Sequence, residues 1–174
     1  MDKRYQPITI RNAKIFKPNF SGKEIPPFNP EGRRNFCVFI DDLNVAEDME
    51  KDGWNIRWLE PRNEGDERSA FLSVAVNYSN RPPKIILVTS RGETKLDEES
   101  VGMLDWAEKE NVDLTINPRY WDDGGRTRIK AYLRTMRVTI YEDELELEID
   151  EQYKNAPAGA MDAVTEEAVP FDEL

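Results

Sequence analysis

The chain has 174 residues with 24 Lys and Arg against 35 Asp and Glu, a formal net charge of -11, no histidine and a single cysteine, Cys37. The lack of histidine removes imidazole bases, Ser-His-Asp and Cys-His constellations and the commonest zinc ligand, and one cysteine allows neither an internal disulfide nor a multi-cysteine metal site. A hydrophobic share of 39% is that of a globular protein, the longest uncharged apolar runs (Ala70 to Val76, Ile85 to Val88) are too short to span a bilayer, and no secretory signal is visible, so a cytoplasmic protein is expected.

In chain order, Ile8 to Phe16 alternates in parts and stops at Lys17-Pro18-Asn19, which predicts a strand ended by a turn. Ser21 to Arg34, with three prolines and two glycines, predicts a loop long enough to be functional or mobile. Asn35 to Ile40 is a near-continuous apolar run of strand length. Asp41 and Asp42 are expected to cap a short helix from Leu43 to Asp52, with Gly53 as its stop. Trp54 to Leu59 alternates, with Trp54, Ile56 and Trp58 on one face. Ala70, Leu72, Val74, Val76 and Tyr78 line the next strand, Arg81-Pro82-Pro83 breaks it, and Lys84 to Thr89 follows.

Asp97 to Glu110 predicts the longer helix, capped by Asp97, with Val101, Leu104 and Ala107 at helical spacing and Trp106 in the core along with Trp54 and Trp58. Val112 to Trp121 then predicts a strand, Asp122-Asp123-Gly124-Gly125 a four-residue hairpin loop, and Arg126 to Ile140 a long returning strand. Some seven strands and two helices without regular βαβ alternation point to a mainly β fold, an antiparallel barrel decorated by helices.

The charge is unevenly placed. Residues 1–137 hold 23 bases and 23 acids, whereas residues 138–174 hold 12 acids and one base, Lys154. This predicts a neutral body, residues 1–141, large enough for one core, and an acidic, largely disordered tail, residues 142–174, that begins as a brief edge strand over Glu142 to Glu151.

On the strand after Gly125, Arg126, Arg128, Lys130, Tyr132 and Arg134 share one face, while Thr127, Ile129, Ala131, Leu133 and Thr135 share the other. Arg119, Tyr120 and Trp121 lie in the preceding arm. Cations replace the counterions of phosphate and flat rings stack on any base, so this face has the two ingredients of a single-strand nucleic-acid site. The alternative is a solvated edge strand kept soluble by its charge. Arg33 and Arg34, at the end of the proline loop, are further candidate phosphate contacts. Asp41-Asp42 and Asp122-Asp123 have structural work at a helix start and in a turn, so no metal or other cofactor is expected. In the tail, Val169, Pro170 and Phe171, flanked by Asp172 and Glu173, read as a short docking motif for a partner, with a solubilising terminus as the bland alternative; the same acids can compete with phosphate for the basic face.

These stretches, Asn117-Pro118-Arg119-Tyr120-Trp121, Gly124-Gly125, Ile129-Lys130-Ala131-Tyr132-Leu133 and the acidic tail, resemble those of bacteriophage single-stranded DNA-binding proteins of the oligonucleotide/oligosaccharide-binding (OB) type. The resemblance implies an OB-fold-like five-stranded barrel with extra strands and a helix before the final hairpin. It also implies a non-catalytic role in coating single strands during replication, recombination and repair, with a tail that recruits polymerase, helicase or nuclease partners. Val169-Pro170-Phe171 is similar to the Ile-Pro-Phe ending of bacterial single-strand binders, but here Asp172-Glu173-Leu174 follows the phenylalanine, and a pocket that reads a terminal carboxylate is not expected to accept it. The competing expectations are an interaction module whose acidic segment mimics DNA and, with no convincing carboxylate cluster, a metal-dependent nuclease.

Overall fold

The computed structural model describes residues 6–142. Among them run β1 (Ile8–Ile10), β2 (Ile15–Asn19), β3 (Arg34–Ile40), α1 (Leu43–Asp52), β4 (Ile56–Leu59), β5 (Ser69–Val76), β6 (Lys84–Thr89), β7 (Gly92–Leu96), a short 3-10 helix (Val101–Asp105), β8 (Lys109–Asp123) and β9 (Arg126–Ile140). The fold is mainly β. The expected first strand is two strands, because the backbone turns at Asn12, whose φ is 49°, and β7 forms a hairpin with β6 that the sequence reading leaves as a connection.

The strands are hydrogen-bonded in the order β1-β8-β9-β5-β3-β2, with β4 on β5, β6 on β9 and β7 on β6. β1 and β2 stand at opposite ends of this order, yet residues 11–14 alone join them. That link is bonded on both sides: Ala13 N–H donates to Val112 O at 2.7 Å, and Phe39 N–H donates to Lys14 O at 3.0 Å. The chain itself therefore ties together the two ends of what is, by strand pairing, an open mixed sheet instead of the expected antiparallel barrel. The pairing is not antiparallel throughout, as expected from sequence; β9 runs parallel to β5 and to β6, because the returning strand comes back beside elements that lie earlier in the chain and point the same way.

The interior is apolar, with Phe20 and Phe36 fully buried and stacked at 5.3 Å, and Leu72, Val74, Ile85, Leu114, Ile116, Ile129 and Met136 within 1% of full burial. A large apolar side chain taken out of water contributes about 1.5–3 kcal/mol, so this interior sets the faces of the strands. α1 is capped as predicted. The Asp42 carboxylate accepts from Asn44 N–H at 3.0 Å and Val45 N–H at 3.3 Å, and Gly53 ends the helix at φ 113°. A Cβ at Gly53 would lie 2.5 Å from the Thr127 carbonyl oxygen, and the Gly53 carbonyl accepts from Ile129 N–H at 2.9 Å. The glycine thus lets the helix end and β9 touch backbone to backbone.

The helix expected over residues 97–110 is the five-residue 3-10 turn. Asp97 is not its cap, since the residue at that place is Ser100; its carboxylate instead accepts from Glu99 N–H at 3.0 Å and Ser100 N–H at 2.8 Å in the turn that leads into the helix, and Val101 and Leu104 are buried. Two tertiary demands stop it there. The Asp105 carboxylate is bonded to Phe20 N–H and to the Ser21 hydroxyl, both at 2.6 Å, and from Lys109 onward the chain gains ladder bonds to β9. Trp106 is consequently 82% exposed instead of in the core, whereas Trp54 is buried and Trp58 half-buried. The proline loop is pinned by Asn29, which is buried: its amide donates to the carbonyls of Lys23, Pro30 and Arg33 and its oxygen accepts from Asn35 Nδ2. Of the predicted acidic segment only its first residue, Glu142, is described; the expected edge strand and the rest of the tail lie outside the described residues.

Candidate nucleic-acid interface

β8 and β9 form a hairpin with Asp123 opposite Arg126, so its turn is the two residues Gly124 and Gly125 instead of the predicted four. Their φ values of 59° and 92° suit a type I′ turn, which matches the twist of the flanking strands, and the Asp122 carboxylate accepts from Gly125 N–H at 3.1 Å.

Residues opposite one another in a ladder share a face. The outward pairs are Asn117 with Tyr132, Arg119 with Lys130, Trp121 with Arg128, and Asp123 with Arg126. Tyr132 has the Arg119 guanidinium 5.7 Å and the Lys130 ammonium 5.3 Å from its ring centroid, a doubly cation-flanked ring of the kind that attracts both phosphate and base. Trp121 is 50% exposed. Arg128 lies 3.3 Å from Asp123, an exposed pair that holds the guanidinium only weakly. The alternation predicted for β9 thus holds from Arg128 to Arg134, with Ile129, Ala131 and Leu133 buried. Tyr120 is the exception among the predicted site residues: it lies opposite Ile129, on the inner face, packed against the core.

At Arg134 the ladder is irregular. Thr115 opposes Thr135 and Ile116 opposes Leu133, leaving Arg134 as the extra residue of a bulge. On its other edge β9 exchanges neighbours at the same point, from β5 at Tyr132 to β6 at Thr135. The bulge also inverts the alternation, so Met136 and Val138 are buried and Arg137 faces outward to form an ion pair with Glu93. The connection from β5 to β6 lines the resulting gap, a groove of about 740 Å³ in whose wall Asn77, Asn80 and Arg81 face Arg119, Tyr132 and Arg134 with no acid among the lining residues. The sequence reading missed this wall, taking Arg81-Pro82-Pro83 only as a strand breaker.

Arg33 is exposed at the end of the proline loop. Arg34, the first residue of β3, is 16% exposed and engaged: its Nε donates to Phe20 O at 2.9 Å, its Nη1 meets Glu98 at 3.2 Å, and its guanidinium lies 5.5 Å from the Tyr78 ring centroid.

Outward residues continue from the hairpin across the sheet. Tyr132 is in register with Ala75 and Ala75 with Asn35; one step further Ser73 pairs with Cys37 and Cys37 with Phe16. Beyond this floor of small side chains, Phe16 stacks on Phe39 at 4.4 Å and meets Phe71 edge-on at 5.2 Å, with Arg57 opposite Phe71. Phe39 lies within the apolar run from Asn35 to Ile40, and the alternation of buried Phe36, Val38 and Ile40 is the signal that turns Cys37 and Phe39 outward. Burial raises the Cys37 thiol pKa, against the opposing pull of Lys17 and Arg57. Among the described residues no group of three or more Cys, Asp or Glu side chains is placed to hold a metal ion, and no helix is long and apolar enough to cross a membrane. Val169, Pro170, Phe171, Asp172 and Glu173 lie outside the described residues.

Among curated proteins none matches this sequence. Among solved structures, the single-stranded DNA-binding protein from bacteriophage Enc34 in complex with ssDNA is similar in fold, with a TM-score of 0.52 at 11% identity over 79% of this chain and 88% of that one. A C-terminally truncated form of the Enc34 protein matches with a TM-score of 0.50 at 12% identity, over 79% and 87% of the respective chains. The family described as "Putative phage ssDNA-binding domain" matches residues 1–173. With that match running over nearly its whole length, the chain belongs to the phage single-stranded DNA-binding family.

Proposed function

We propose that this protein binds and protects single-stranded DNA with little sequence preference during phage DNA replication, recombination and repair, in the cytoplasm of the bacterial host and without catalysing a reaction. The observation that carries this reading is the outward face of the β8–β9 hairpin, where Arg119 and Lys130 flank the Tyr132 ring beside a groove that also holds Arg81 and Arg134. Phosphates meet Arg33, Arg81, Arg119, Arg126, Arg128, Lys130 and Arg134, while bases stack on Tyr132 and Trp121 and, across the small residues of β5 and β3, on the phenylalanines of the outer sheet. Tyr120 supports the hairpin from its inner face.

In the same reading, residues 1–141 hold the DNA and the acidic residues 142–174 act apart from them. Val169, Pro170 and Phe171 dock in replication or recombination proteins, with Asp172 and Glu173 meeting the partner's bases, and the acids compete with DNA for the hairpin.

The test is a titration of a fluorescent single strand of about 30 nucleotides, long enough for several such sites, followed by anisotropy at low salt with duplex as competitor. Saturable binding that resists duplex and weakens with salt is expected; no binding by the full chain or by a form ending at Tyr153 would refute the reading. The form ending at Tyr153 is expected to bind more tightly, and unchanged affinity would remove the competition by the tail.

A further inference from the structure

We propose that Arg34 is a positioning residue that sets the wall of the groove, acting through Tyr78, and does not itself touch phosphate. The proposal rests on the reading of the groove as the strand's site.

Arg34 and its neighbour Arg33 look equivalent in the sequence but not in the fold. Arg33 is exposed. Arg34 joins three separate segments: its Nε bonds the Phe20 carbonyl at the root of the proline loop, its Nη1 meets Glu98 ahead of the 3-10 turn, and its flat guanidinium covers the Tyr78 ring. A guanidinium can do this because its donors form a rigid planar fork whose faces remain free to stack. Its stem has little room to move, since it runs beside the close approach of Gly22 to Gly32, where a Cβ on Gly22 would lie 3.1 Å from the Gly32 Cα and 3.4 Å from the Arg34 Cγ.

Tyr78 is the link to the site. It follows Asn77 and precedes Asn80 and Arg81, three residues of the groove wall. Its hydroxyl is buried without a hydrogen-bond partner among the described residues, so the ring is held by packing and by the cation on its face. Arg34 also pairs with Val76, the last residue of β5, from which this wall departs. The groove wall is thereby tied to the proline loop and to the 3-10 segment through one side chain.

The salt dependence of single-strand affinity separates positioning from direct binding, because removing one cation that neutralises a phosphate lowers the log–log slope by about 0.7. With a fluorescent oligothymidylate and the full chain, Arg34→Gln is expected to lower affinity about five- to tenfold at every salt concentration with the slope unchanged. Arg34→Lys, which retains the charge but not the planar fork, is expected to lose nearly as much. Tyr78→Ala should reproduce the loss, and the double variant Arg34→Gln/Tyr78→Ala should be no worse than the weaker single one. A slope reduced in Arg34→Gln as much as in Arg119→Gln, full binding by Arg34→Lys, or additive losses in the double variant would each overturn the proposal. Thermal melts show whether each variant is folded at the assay temperature; Arg34→Lys, the mildest change, serves where the others are not. Arg119→Gln tests the groove itself: if it alters neither affinity nor slope, the groove reading fails and the proposal with it.

Discussion

The β8–β9 hairpin and the loop between β2 and β3 each bury one side in the core, the hairpin through Ile116 and Ile129 and the loop through Phe20, and opposite means hold them. The hairpin is a ladder of backbone bonds closed by two glycines, so its outward side chains have no structural duty and are free to be Arg, Lys, Tyr and Trp. The proline loop has an isolated bridge between Ile25 and Asn29 and a few turn bonds in place of a ladder, and specific side chains hold it, chiefly the buried Asn29 with its three donated bonds. An element built on backbone bonds can vary in side chain and so can acquire a ligand, whereas an element built on side chains must keep them.

The largest effect that would break this contrast falls where the hairpin is seated. Gly53→Ala places a Cβ against the Thr127 carbonyl at a positive φ, and is expected to cost about 2–4 kcal/mol in urea unfolding, from backbone strain together with the clash; an unchanged midpoint would mean that α1 does not brace β9. Asn29→Ala should cost about 1–3 kcal/mol, because three part-buried carbonyls and the Asn35 amide lose their partner, with amide exchange rising in residues 20–33 and the β8–β9 ladder left protected. Exchange rising equally in both would show that they open together.

Tyr132→Ala is expected to weaken single-strand binding by about 1–2 kcal/mol, near the lower part of the range for a base-stacking ring, with the melting temperature almost unmoved; Tyr120→Ala should show the reverse pattern. Asp123→Asn, which removes the exposed partner of Arg128, should change stability by less than about 0.5 kcal/mol, since the ladder and turn hold the tip without it. The smallest signal is the titration of Cys37, which lies between the two regions on the outer sheet. Its raised pKa means that thiol labelling should accelerate only at pH above the ordinary cysteine range, measured as a pH–rate profile. Because the folded state keeps this proton longer than the unfolded one, stability should fall slightly as pH rises through that window.

Periodicity made the hairpin and α1 legible: the alternation of Arg128, Lys130 and Tyr132 against Ile129 and Ala131 is local, as are the Asp42 cap and the Gly53 stop. What stayed hidden depended on partners distant in sequence. Val101 and Leu104 have helical spacing, but the carboxylate of Asp105 is claimed by Phe20 and Ser21, and no local pattern announces that. Adjacency to Trp121 suggests Tyr120 as a stacking ring, but neighbours on a strand face opposite ways, and with Arg119 and Trp121 outward Tyr120 packs against the core. The groove wall at Asn77, Asn80 and Arg81 becomes a site only because β9 exchanges one neighbouring strand for another at a bulge, a property of the assembled sheet.

The link through residues 11–14 between the two ends of the sheet bears on how the chain folds. Thr9 and Thr115, whose hydroxyls meet at 3.0 Å across β1 and β8, are 106 residues apart, so this pairing cannot form until β8 has been synthesised. Pairings of such separation are slow to form, on the order of milliseconds to seconds where non-local strand pairs dominate. Until then β1 stays without its partner on β8, an open edge on the nascent chain, although it lies far ahead of that partner in the sequence.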